Sequence, residues 1–80
     1  MNINIIKHIV ETYTVDQLQK AEQDLIDGKE LAIEIEGLDE GEQLTHILAG
    51  IFCKQYMQEN HQNIQQAVRA YSIRVRSSIN

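Results

Sequence analysis

The apolar positions of this chain fall into four runs at helical spacing and one run that alternates. In "NIIKHIVET", Ile5, Ile6, Ile9 and Val10 recur on one helix face, with Lys7, His8 and Glu11 on the other. A helix over 4–12 is expected. The brief alternation of "NINII" makes a strand at 2–6 the competing reading. Thr14-Val15-Asp16-Gln17 then matches a capping box, with Thr14 as N-cap and Gln17 at the third helical position. Tyr13 and Leu18 stand where a hydrophobic staple needs them. Val15, Leu18, Leu25 and Ile26 continue at helical spacing, with Glu22 on the edge of the stripe. Asp27-Gly28 closes this helix, 15–27, because glycine adopts the left-handed cap without penalty.

"LAIEIEG" changes the period. Leu31, Ile33 and Ile35 alternate with Ala32, Glu34 and Glu36, as in a half-buried strand over 31–36. A strand needs a neighbour for its backbone groups. The N-terminus, a second copy of the same segment, or packing on helices as merely extended chain are the three solutions. Asp39 and Glu42 repeat the cap pattern and open the longest helix, 40–58. From Ile47 to Cys53 it holds no polar residue, which predicts a central helix wrapped by the others. Gly50 costs this helix about 1 kcal/mol. Close approach of another helix, at Ala67 or Ala70, is the expected return. Asn63-Ile64-Gln65-Gln66 forms a third cap, and Ile64, Val68, Tyr71, Val75 and Ile79 form the stripe of a last helix, 64–78. Ile73 falls on its opposite side, between Arg69 and Arg76.

The expected fold is therefore mainly α, four helices and one short extended or β segment, in a single domain over 1–80. Eighty residues without proline or a low-complexity run leave no room for a linker. Burial contributes on the order of 120 kcal/mol to such a chain, and ordering it costs about the same. A second copy or another partner adds the margin. Cys53 is the only cysteine, so no disulfide forms within the chain, and a lone thiol fits a reducing compartment. No run is long enough to span a membrane, and "INIIKHIV" carries Lys7 and His8 with no cleavage-type sequence after it. A cytoplasmic location without membrane contact is expected.

Net charge is −5 and unevenly placed. Residues 1–42 hold eleven of the twelve acidic residues and three of the seven Lys and Arg residues. An acidic chain repels phosphate backbones, so no nucleic-acid partner is expected, and mimicry of nucleic acid is a distant third reading. Arg69, Arg74 and Arg76 make a small basic end, suited to an acidic surface in the same chain or across a dimer.

The stretch "IEIEGLDEGEQLTH", 33–46, concentrates Glu34, Glu36, Asp39, Glu40 and Glu42 without a single Lys or Arg. It fails as a calcium loop: counted from Asp39, the third position is Gly41, the sixth Leu44 and the twelfth Gly50. Negative charge in a first helical turn is favourable by about 0.3–1 kcal/mol per residue, so a helix entrance explains the cluster. Glu42, His46 and Cys53 are competent metal ligands near one helix face. Yet His46 and Cys53 stand about 10 Å apart along the axis, and a Glu42–His46 pair one turn apart accounts for the first two. Cys53 has no second cysteine nearby, and a buried thiol is inert. No phosphate-binding glycine loop and no nucleophile elbow occurs.

"IIKHIVETYTVDQLQKAE", "EIEGLDEGEQLTHILAGIF" and "YSIRVRSSI" resemble a family of short bacterial proteins known only as a domain of unknown function. The most specific segment is "DEGEQLTH", 39–46, and the likeness covers nearly the whole chain. It implies a small stand-alone protein and no substrate, cofactor or catalytic residue. The reading that follows is a non-enzymatic interaction module or accessory subunit, a homodimer or bound to another protein, with no cofactor. The alternative is a small redox- or metal-linked protein using Glu42, His46 and Cys53. Contacts in a dimer are expected at Ile33, Ile35, Arg69, Ile73 and Arg76.

Overall fold

A computed structural model describes residues 2–79, with side chains through Ser77. Four helices follow in order: α1 (Ile3–Thr12), α2 (Val15–Ile26), α3 (Glu40–Asn60) and α4 (Ile64–Ile79). Caps set the ends, and those at Thr14, Gly28, Asp39 and Asn63 are legible in the sequence. Asn2 accepts from the Asn4 amide at 2.9 Å. The Thr14–Gln17 box is reciprocal, at 3.1 and 2.9 Å, and Asn63–Gln66 repeats it at 2.9 and 3.1 Å. Asp39 accepts from the Glu42 amide at 2.8 Å. Gly28, with φ +74°, ends α2. The Lys29 amide reaches back to the Asp24 carbonyl at 2.8 Å and that of Gly28 to Leu25 at 3.2 Å, a Schellman closure. α3 ends at His61, held left-handed with φ 53°. The stretch 2–6 is helix from Ile3 onward, so its competing strand does not form.

α3 is the hub, contacting α1, α2 and α4. One core cluster joins Ile9 of α1, Leu18 and Ala21 of α2, Ile35 and Ile47. A second joins Ile6, Ala49, Cys53 and Ala67. Lys54 donates to the Val10 carbonyl at 2.9 Å, closing the C-terminal end of α1, where positive charge is favoured.

Two expectations about α3 are corrected. Gly50 does admit a close neighbour, but from the other side: a Cβ there would lie 2.8 Å from Ile9 Cγ2 and 3.5 Å from Leu18 Cδ1. Ala67 instead packs in the cluster of Ala49 and Cys53, one helical position round from where it was expected. Nor is α3 wrapped on all sides. Leu48 is 37 % exposed, and Ile51 and Phe52 are half-buried, because three helices leave one side of the central one open. The inward stripe of α4 holds through Tyr71, but Val75 is 40 % exposed. Ile79, expected to extend it, lies outside the described side chains.

No strand occurs among the described residues. The 31–36 stretch is irregular and bends at Ala32-Ile33, but its alternation is real: Leu31, Ile33 and Ile35 pack on the first cluster while Ala32, Glu34 and Glu36 are exposed.

Candidate interaction surface

Three consecutive carbonyls of the 31–36 segment are held by side chains of Tyr13 and of two residues of α3. Tyr13 Oη donates to Glu34 O at 3.1 Å, Gln43 Nε2 to Ile35 O at 3.0 Å, and His46 Nδ1 to Glu36 O at 2.8 Å. A carbonyl only accepts, so His46 carries its proton on Nδ1. Nε2 is buried and has no hydrogen-bond partner. These donors satisfy carbonyls that a ladder would otherwise engage. Gly37 follows and crosses the first turn of α3 so closely that a Cβ would lie 2.8 Å from the Gln43 amide nitrogen. Glu42 turns back to accept from the Leu38 amide at 3.4 Å.

The expected Glu42–His46 pair is therefore not made: each is engaged with a different stretch of the loop. Cys53 is fully buried in the second cluster, and burial pushes its thiol up to about 11. Glu42, His46 and Cys53 have no common focus. Among the described residues, no group of three or more His, Cys, Asp or Glu is arranged to hold a metal ion. The other carboxylates of the stretch are exposed. Glu30, Glu34 and Glu40 line an open cleft of about 500 Å³ together with Lys29.

The clasped loop presents one apolar side chain outward: Leu38, 93 % exposed. It occupies the position before the Asp39 cap, where a staple would fold it onto the fourth helical residue. That residue is Gln43, already bonded to Ile35 O, so nothing apolar receives Leu38. At the α2 entrance the same two positions are Tyr13 and Leu18, and both pack on the first cluster. The missing staple was the available signal for Leu38, which sequence reasoning passed over, as it did Leu48.

On the open side of α3, a groove of about 450 Å³ runs against α4, lined by Leu48, Ile51, Phe52, Tyr71, Arg74 and Val75. The Phe52 and Tyr71 rings meet at 5.3 Å, and the Arg74 guanidinium stands 5.5 Å from the Phe52 ring centre. Burial raises the Tyr71 phenol, as does the neighbouring Cys53 thiolate, and Arg74 offsets part of the rise. Beyond Tyr71, Ile73 is 58 % exposed. Arg69 and Arg76 are exposed and form no ion pair among the described residues. The one ion pair among those residues is Lys20–Asp24 at 2.8 Å on α2. Of the remaining expected contacts, Ile33 is half-buried and Ile35 is buried in the chain's own core.

A family model described as "Family of unknown function (DUF6952)" matches residues 1–80. No curated protein and no solved structure matches the chain. No helix among the described residues is long and apolar enough to cross a membrane.

Proposed function

We propose that this chain, which belongs to the family of unknown function DUF6952, is a non-enzymatic interaction module that works as a homodimer in the cytoplasm. The observation that carries the reading is a surface divided by sign with apolar side chains left in both halves. The 33–42 stretch holds five carboxylates and no base, and α4 holds three arginines and no carboxylate. Leu38 stands in the first, and Ile73 and Val75 in the second, all exposed. Charged surfaces that match in sign set register and steer association, while apolar side chains at the centre supply affinity. A two-fold pair brings each half against its opposite. Pairing of 31–36 with its own copy as a strand is the weaker route, since the Glu34, Ile35 and Glu36 carbonyls already accept hydrogen bonds. The Arg69–Arg76 face of α4 is the stronger one.

Light scattering across a concentration series tests the reading. The expected mass approaches twice 9.2 kDa. A constant monomer mass up to about 100 µM excludes a micromolar affinity, roughly −8 kcal/mol, and overturns it. Ile33→Lys and Ile73→Glu separate the two routes. The expected result is that Ile73→Glu yields a folded monomer and Ile33→Lys does not.

A further inference from the structure

Resting on the homodimer reading, we propose that the two copies are joined by reciprocal insertion of Leu38 of one into the α3–α4 groove of the other. Leu38 is the most exposed large apolar side chain of the described residues, at 93 %. It is not a loose tip. Tyr13, Gln43 and His46 hold the three carbonyls that precede Gly37, and Glu42 holds the Leu38 amide. A rigid apolar projection loses little freedom on binding, and that favours association. The groove is the natural receptor: shallow, mostly apolar and roomy enough for a leucine side chain.

Charge selects this occupant over others. Glu36, Asp39 and Glu40 surround Leu38 in the chain and are exposed. The groove has Arg74 at its lip, on a helix without a carboxylate. The acidic residues about the projection are opposite in sign to α4, whereas a copy presenting its own 34–42 stretch to this one sets like charges together. One leucine in one groove is too small a contact, because a stable interface covers about 800 Å² per partner. A two-fold axis doubles the contact and closes the pair, leaving no unfilled groove to recruit a third copy.

The test uses the full chain. Leu38→Ser removes the projection at a position whose side chain touches almost nothing, so the variant keeps the wild-type melting temperature measured by circular dichroism. The expected result is at least a tenfold rise in the dimer dissociation constant, with the same rise for Val75→Arg in the groove. Leu38→Cys and Val75→Cys proteins, mixed and mildly oxidised, are expected to form a mixed disulfide pair; the native Cys53 is buried and adds no background. A dimer that survives both substitutions, with no mixed disulfide, overturns the insertion and leaves the homodimer reading standing. A wild-type monomer at about 100 µM overturns that reading and the insertion with it. A mass climbing past the pair with concentration overturns the two-fold arrangement.

Discussion

At the scale of single residues, Gly50 and Cys53 meet different neighbours, Ile9 and Leu18 for the first and the cluster of Ile6, Ala49 and Ala67 for the second, and respond to different perturbations. Gly50→Ala recovers about 1 kcal/mol of helix propensity. The new Cβ meets Ile9 Cγ2 at 2.8 Å, and Ile9 is itself buried and cannot swing away. Overpacking of this kind costs about 1–3 kcal/mol, so the expected outcome is a net loss of stability, read as a lower urea midpoint. Cys53 is governed by desolvation. Its thiol stays protonated in the fold up to about 11, whereas the unfolded chain ionises it near 8.5. The native state thus holds more protons between these values. Its stability is whole below about pH 8.5 and falls as pH climbs toward 11. Urea midpoints from pH 8 to 10.5 should show the fall, and Cys53→Ala should flatten it in part. Tyr71, raised in the same direction by burial, contributes to what is left. At pH 8 a thiol reagent should label the native protein slowly and the urea-unfolded protein at once.

At the scale of elements, the 31–36 segment is tied by side chains where a strand would be tied by backbone. Removing one donor leaves a carbonyl to find water or go without. His46→Leu is expected to cost about 1–3 kcal/mol, because the Glu36 carbonyl loses its buried donor. Helix content should survive, since no helix of the chain depends on that bond. The loosened loop should be cut after Glu34 or Glu36 by a glutamate-specific protease under conditions that leave the wild type intact. Equal resistance of variant and wild type would mean that packing of Ile33 and Ile35, not the carbonyl clasp, holds the segment.

At the scale of the whole molecule, the division of charge makes association sensitive to salt. Exposed charges are screened over about 8 Å at physiological ionic strength. Raising salt from about 0.05 to 0.5 M should increase the dimer dissociation constant severalfold, by sedimentation or light scattering. A constant unaffected by salt would assign the whole of the contact to apolar groups and remove charge from the account of how copies recognise each other.

Four helices were legible in the sequence, and three of their starts, because caps are local. Thr14 reaches Gln17 and Asn63 reaches Gln66 within one turn, whatever the rest of the chain does. The period-two pattern of 31–36 was also a true record of which side chains face inward. It could not say what the backbone bonds to, because side-chain direction and hydrogen-bond partner are independent properties. Those partners come from Tyr13, Gln43 and His46, as far as twenty-one residues away, and only the fold brings them together. Likewise the apolar run of α3 announced burial, but three neighbours cover three sides of a helix, and which side stays open depends on where they pack. The acidic stretch 33–46 shows both limits in one place. Its charge and its Asp39 cap are written locally. Its outcome, a clasped loop with Leu38 held in solvent, required tertiary contacts to engage Gln43 and His46 elsewhere.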